Sequence, residues 1–181
     1  MGDIKYKIVV VGAPAVGKTS LVRKYTKGEF HKEYISTLGA QFSRFEETIE
    51  NDKIDLILWD IAGQEAWEVM RKKFYIGSSG GIVVFSHAPG EQETISEMQK
   101  WTEELKSNCG DIPIMLFGNK IDLVDNNEIA MNSTLEGSDA NIEQLIKKHG
   151  FTAYYKTSAL TGERVKDAFQ SLVHTIYNRS K

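Results

Sequence analysis

The sequence predicts an α/β fold: a doubly wound sheet of six strands, mostly parallel with one antiparallel edge strand, and about five helices, in one domain over residues 1–181. Three observations carry this reading. Short apolar runs alternate with stretches of helical period along the whole chain. Most of those runs are apolar throughout, without in–out alternation, so they suit strands covered on both faces. One link, at Asn51-Asp52, is so short that the strands it joins must form an antiparallel hairpin.

The elements follow in order. Ile4–Val11 is a polar-started apolar run and reads as a buried strand. Lys18–Lys27 is the helix after it. Phe42–Glu50 and Lys53–Asp60 are the hairpin strands. Gly81–Ser86 is a short, wholly apolar strand. Glu91–Ser107 has helical spacing, with Ile95, Met98, Trp101, Thr102 and Leu105 on one face. Ile112–Gly118 is another buried strand. Ser138 or Asp139 can cap a helix running to His149, which Gly150 ends. Phe151–Lys156 is a last strand. Gly162–Arg179 is a closing helix with Val165, Phe169, Leu172, Val173 and Ile176 inward. The stretch 123–138 is long for a connection in a compact domain, so it reads as a mobile loop or an extra helical turn.

Composition narrows the function classes. A chain of 181 residues, 41% hydrophobic and 26% charged, can bury a core without disulfides or structural metal. A net charge of −3 gives no broad nucleic-acid footprint. No apolar run approaches the ~18 residues of a membrane span. The single cysteine, Cys109, fits a reducing compartment and reads as a packing or surface residue. The four histidines are scattered and form no metal pattern. The last residues, "YNRSK", hold no prenylatable cysteine, so no stable membrane anchor is expected in this chain. A cytoplasmic monomer is expected, reaching membranes only through a partner or a tail outside these residues.

The most specific signal is "GAPAVGKT", residues 12–19, between a strand and a helix. It fits G-x-x-x-x-G-K-[ST], the loop of P-loop NTPases. Its backbone N–H groups, from Ala15, Val16, Gly17, Lys18 and Thr19, can cradle phosphate oxygens at the helix N-terminus, with Ser20 next in line. Lys18 can reach the β- and γ-phosphates. The Thr19 hydroxyl can hold Mg²⁺. Pro14 has no N–H to donate. It either stiffens the loop and shapes access to the γ-phosphate, or replaces a donor that was never used.

Further stretches choose the base and sense the γ-phosphate. "FGNKIDL" places Asn119, Lys120 and Asp122 after a buried strand, at the edge where α/β sheets bind ligands. The Asp122 carboxylate can accept from N1–H and the 2-amino group of guanine, a pair that adenine lacks. Asn119 can bond the base and brace the phosphate loop, and the Lys120 stem can lie along the ring. In "LWDIAGQE", Asp60 can hold a Mg²⁺-bound water, Gly63 can donate its N–H to the γ-phosphate, and Gln64 can orient an attacking water. In "EYISTLGAQF", Thr37 can swing onto Mg²⁺, and Phe30 can pack on the base edge.

These motifs together resemble a Ras-superfamily small GTPase over essentially the whole chain. "GAPAVGKT", "STLG", "DIAGQE" and "NKID" match in order, and "TSAL" stands where the family has a Ser-Ala-Lys box. Within the superfamily, "STLGAQF", "LILWDIAGQE" and "FYIGSSGGIVVF" are most similar to the Rab branch. The resemblance implies that Ser158, Ala159 and Leu160 border the base, with the Ala159 N–H on the guanine carbonyl. It places Phe42, Trp59 and Phe74 on the aromatic triad that Rabs present to effectors, with simple packing as the other reading. It implies a GTP-hydrolysing switch, cycling between GTP- and GDP-bound states and slow without an activating partner. Effectors, exchange factors and activating proteins would meet it at two switch loops, Phe30–Phe42 and Ala62–Gly77.

The chain departs from the pattern at Pro14, where Ras has glycine, and at Leu160, which replaces the lysine of the box. Both favour the alternative of a pseudo-GTPase, a nucleotide-bound interaction module without turnover, while Gln64 opposes it. A small P-loop kinase is the other rival, and it has no use for "NKID". "RKKF", Arg71–Phe74, adds positive charge to the second switch loop and reads as a solvated face or a partner contact.

Overall fold

The computed structural model describes residues 4–31, 36–125, 129 and 137–181. Six strands form one sheet in the order β2-β3-β1-β4-β5-β6. They are β1 (Ile4–Val11), β2 (Ala40–Ile49), β3 (Asp52–Ile61), β4 (Gly80–Ser86), β5 (Ile114–Asn119) and β6 (Ala153–Lys156). Every neighbouring pair is parallel except β2 with β3, which puts the antiparallel strand at the edge as expected. The helices whose full bounds lie among the described residues are α1 (Lys18–Lys27), α2 (Glu68–Tyr75), α3 (Glu93–Ser96), α4 (Met98–Cys109), α5 (Asp139–His149) and α6 (Val165–Ser180).

The apolar runs are buried on both faces, for the reason their composition suggests. In β1, Ile8 and Val10 face one core with Leu21 of α1 and Phe169 and Leu172 of α6. Val9 and Val11 face the other, with Tyr75 of α2 and Trp101 and Leu105 of α4. All four β1 side chains are sealed from solvent. Because β1 lies between β3 and β4, the chain leaves its C-terminal end at the point where the strand order reverses. A crevice opens there in sheets of this type.

Four expectations need correction. The hairpin turn is Glu50-Asn51 and not Asn51-Asp52, since Asp52 pairs with Ile49. Glu50 takes a left-handed φ of 56° there, and the C-terminal end of the chain touches the turn: the Tyr177 hydroxyl donates to Asp52 Oδ2 at 2.6 Å, and Lys181 Nζ donates to Glu50 Oε2 at 2.7 Å. The single helix expected over Glu91–Ser107 is two, α3 and α4, meeting at Glu97, although the five inward residues are buried as read. Thr94 is turned back onto the preceding loop, bonding the Glu91 carbonyl and the Ser86 N–H, and this tightens the first turn. The second loop, Ala62–Gly77, is largely helical, with a 3₁₀ turn at Glu65–Trp67 running into α2. Finally, Arg71 of "RKKF" is not on a solvated face: it is fully buried, while Lys72 and Lys73 are exposed. The expectation for 123–138 falls largely outside the described residues. Cys109 is half-buried, its Sγ 3.6 Å from the Tyr75 carbonyl.

Past β4 sits a buried imidazole that carries a prediction. His87 packs edge-on against Phe85 and shares a 2.7 Å hydrogen bond with the Tyr154 hydroxyl. Burial, with Lys156 nearby, pulls its pKa down to about 4, and Asp139 opposes this only in part. The folded state therefore resists a proton that the unfolded chain accepts near pH 6.5. That stability is present above pH 6.5 and is lost as pH falls toward 4. The melting temperature of wild type should therefore drop more steeply between pH 6.5 and 4 than that of His87→Gln. Parallel pH profiles would show that His87 does not resist protonation in the fold.

Candidate functional site

The crevice at the end of β1 is a cleft of about 430 Å³. It is lined by Pro14, Ala15, Gly17, Lys18, Thr19 and Ser20 of the first loop, by Phe30, Thr37, Gly63 and Gln64, and by Asn119, Lys120, Asp122, Ala159 and Leu160. Residues far apart in sequence meet here because β1, β3, β4 and β5 all end at the same edge of the sheet.

The loop after β1 needs its glycines for contact reasons. A Cβ on Gly12 would lie 2.2 Å from the Val84 carbonyl oxygen, and one on Gly17 would lie 2.2 Å from Asn119 Nδ2. Both also sit at positive φ, where a side chain is strained. Asn119 ties the loop down from the other side of the cleft. Its Nδ2 donates to the Val16 carbonyl at 2.9 Å, and its Oδ1 accepts from the Ala159 N–H at 3.1 Å. Val16 itself is buried, so only its backbone takes part.

Lys18, at the start of α1, is 6% exposed, and its ammonium donates to the Gly12 and Ala13 carbonyls at 2.8 and 2.7 Å. Burial lowers its pKa to about 8, and Asp60 pulls the other way. Beside it, Asp60, one residue before the end of β3, is almost wholly buried. Burial raises its pKa, and the hydrogen bond from the Thr19 hydroxyl holds it back. Asp60 Oδ2 accepts from Thr19 Oγ1, which in turn lies 2.9 Å from Thr37 Oγ1. The other carboxylate oxygen, Oδ1, is buried with no partner. One unsatisfied carboxylate oxygen beside two hydroxyls is an oxygen donor set, and it suits a hard divalent cation such as Mg²⁺. The described residues hold no cluster of three His, Cys, Asp or Glu that would bind a softer ion.

Gly63 is pressed onto the same loop: a Cβ there would come 2.5 Å from the Gly12 carbonyl oxygen and 2.6 Å from the Pro14 nitrogen. The neighbouring Gln64 donates from Nε2 to Ser36 Oγ at 2.6 Å, and its Oε1 is buried and unpartnered. Its backbone is held from behind. Arg71 Nη1 donates to the Gln64 carbonyl at 2.8 Å, while Arg71 Nε donates to Glu104 Oε1 at 3.0 Å. Tyr75 donates to the same Glu104 oxygen at 2.9 Å, and the guanidinium stacks over Trp101 at 4.7 Å. So α4 anchors the segment that carries Gln64. Reading "RKKF" as a charge run missed this anchor. The available signal was Arg71 and Tyr75 at i, i+4, on one helix face.

At the other end of the cleft, the Ser158 hydroxyl donates to Asp122 Oδ1 and also accepts from the Thr161 N–H at 3.1 Å. Ser158 is fully buried, so it orients the carboxylate and does not line the cleft itself. Lys120 is pinned by Glu91, a residue that no motif had singled out. Leu160 is 45% exposed where it lines the cleft, and Phe30, also exposed, lines it too.

Away from the cleft, the expected aromatic triad is contiguous. Phe42 and Trp59 have ring centroids 5.8 Å apart, and Trp59 stacks on Phe74 at 5.4 Å. Phe42 is 69% exposed, while Trp59 and Phe74 are part-buried against the α2–α4 core. Lys7 Nζ sits 4.9 Å over the Trp59 ring. Among the described residues, no helix is long and apolar enough to cross a membrane.

Comparison with known proteins agrees with this geometry. The model of the Ras family matches residues 7–178. The chain is 38% identical to the Ras-related protein Rab-11B of Dictyostelium discoideum, over 97% of this chain and 75% of that protein. It is 33% identical to Ras-related protein Rab-7L1 of Rattus norvegicus, over 99% and 85% respectively. It is 31% identical to the GTP-binding protein ypt3 of Schizosaccharomyces pombe, over 97% and 77%.

Proposed function

The chain belongs to the Ras family as a Rab-like small GTPase, a GTP-binding and GTP-hydrolysing switch, and from that premise we propose how its own residues do the work. Residues 1–181 act as one G domain. The backbone N–H groups of residues 15–19 cradle the phosphates, and Lys18 places its charge between the β- and γ-positions. Asn119 and Asp122 hold guanine, with Phe30, Leu160 and the Lys120 stem against the ring, and the Ala159 N–H, which donates to Asn119 Oδ1, is shared with the guanine carbonyl. Thr19, Thr37 and Asp60 would hold Mg²⁺, which would neutralise phosphate charge there. The observation that carries this reading is the unpartnered Asp60 Oδ1 beside Thr19 and Thr37, at the mouth of a loop whose lysine is already buried.

Hydrolysis needs a water held in line with the γ-phosphate. Gln64 is the group for it: its side chain donates to Ser36 at the cleft, its backbone is tied to Arg71, and Gly63 lies on the phosphate loop. Thr37 and Gly63 touch the γ-phosphate end only in the GTP state, so hydrolysis releases both segments. Unaided turnover is slow, because no arginine of the phosphate loop or first switch reaches the transferred group. An activating protein raises it on the order of 10³–10⁵-fold, a magnitude taken from this family. Effectors, exchange factors and activating proteins bind at the two switch segments, effectors over Phe42, Trp59 and Phe74. The protein acts in the cytoplasm as a monomer and takes no nucleic acid. A net charge of −3 and a single cysteine support this setting.

The test is Gln64→Leu. GTP affinity should stay within about twofold while single-turnover hydrolysis slows on the order of 10²-fold, because water placement matters only in the transition state. A wild type with no measurable turnover, and a variant identical to it, would instead establish a nucleotide-bound module without catalysis.

A further inference from the structure

Lys120 reaches out of the cleft wall and is gripped at its tip. Its Nζ donates to both carboxylate oxygens of Glu91, at 2.9 and 2.7 Å. Glu91 comes from the loop between β4 and α3, and that loop is itself fixed. The Glu91 carbonyl accepts from the Thr94 N–H at 3.0 Å and the Thr94 hydroxyl at 2.8 Å. Thr94 Oγ1 accepts from the Ser86 N–H at 3.0 Å, and Ser86 Oγ accepts from the Ala88 N–H at 3.1 Å. The loop is bonded directly to the base-reading segment, where His87 N–H donates to the Asn119 carbonyl at 2.9 Å. Lys120 also has a set backbone, left-handed at φ 65 between Asn119 and the 3₁₀ turn Ile121–Leu123. Both ends of the ion pair thus stand on rigid supports on the same side of the cleft.

Leu160, which lines the same cleft, offers only apolar surface. A lysine stem that lies along a base has to be ordered, and an untethered lysine side chain loses its rotamer freedom when the ligand arrives. A carboxylate that takes two of the three ammonium donors orders the stem beforehand, with the charge kept. We propose that Glu91 is a positioning residue for the guanine base: it holds the Lys120 stem in place and so lengthens the residence of bound nucleotide. The inference rests on the guanine-nucleotide reading above. It concerns dissociation and not the chemical step, because Glu91 stands at the base end of the cleft.

The experiment times release of N-methylanthraniloyl-GDP from the full chain in Mg²⁺, chased with excess GDP. Glu91→Gln and Glu91→Ala should release about 3- to 10-fold faster than wild type, the scale of a part-exposed, doubly hydrogen-bonded ion pair. Glu143→Gln, which removes an exposed carboxylate on α5, should release at the wild-type rate. In a Lys120→Met background, Glu91→Gln should add nothing, and single-turnover hydrolysis of bound GTP should be unchanged by Glu91→Gln. Salt screens a part-exposed pair, so release from wild type should accelerate with ionic strength more than release from Glu91→Gln. A wild-type off-rate in Glu91→Gln, equal acceleration with and without Lys120, or equal salt dependence would overturn the proposal. A wild-type chain that holds no guanine nucleotide would overturn the function reading itself, a separate and visible outcome.

Discussion

Asp122→Asn should exchange the preferred base from guanine to xanthine. The structure holds the Asp122 carboxylate by a hydrogen bond from the buried Ser158 hydroxyl, which leaves acceptor capacity facing the cleft. Guanine presents two donors on one edge, N1–H and the 2-amino group, and a carboxylate accepts both. Asparagine keeps one acceptor and puts an N–H₂ donor in place of the other, so donor meets donor at the amino group. Xanthine carries a carbonyl oxygen at that position and keeps N1–H, which restores both bonds. The lost pair and the unsatisfied group should lower guanine affinity on the order of 10²–10⁴-fold. Competition between GDP and XDP, with wild type alongside, checks it. A variant that still prefers GDP at near wild-type strength would show that Asp122 does not read the base. The preference for GTP over ATP would then lose its physical basis.

Lys18→Ala should abolish useful nucleotide binding. The ammonium is sealed in the loop, and its two carbonyl partners, Gly12 and Ala13, have no other side chain on them. Removing it takes away the charge that faces the phosphates and leaves two buried acceptors unsatisfied. Loss of the charge-assisted hydrogen bonds of a buried ammonium should weaken GDP by at least about 10³-fold. Nucleotide retained after gel filtration is the readout, with the melting temperature of the nucleotide-free variant beside it to separate lost binding from lost folding. Retention at the wild-type level in a folded Lys18→Ala would remove the phosphate loop from the site.

Some of this was readable in one dimension because the signals are local. "GAPAVGKT" carries its own strand, glycines, lysine and threonine within a few residues, and the cleft indeed gathers them. Sheet order was partly readable, since a link of two residues leaves no choice but a hairpin. Its exact turn was not, because Glu50, Asn51 and Asp52 are all polar, and the turn is set by the cross-strand pairing of Ile49 with Asp52 and the left-handed Glu50. The helical second switch segment was missed for a related reason. Gln64–Tyr75 reads as a switch loop because it follows "DIAGQE", and what holds it as a helix is the Arg71 anchor on α4.

Charged residues mark the boundary most clearly. A charge in sequence looks solvated by default, and Lys72 and Lys73 are. Arg71, next to them, is fully buried because Glu104, Tyr75 and Trp101 surround it, and none of those lies near it in pattern except Tyr75. Glu91 drew no notice either, since its meaning depends on Lys120, 29 residues away. Fold class, the phosphate loop and the residues proposed to read the base follow from periodicity, glycine placement and hydrogen-bond chemistry along the chain, which are properties of neighbours. Which charges are buried, which loop presses on which, and what holds Gln64 and Lys120 in place are properties of pairs brought together by the sheet. An ion pair costs desolvation and gains only from its partner, so its sign and its purpose are set once the partner has arrived.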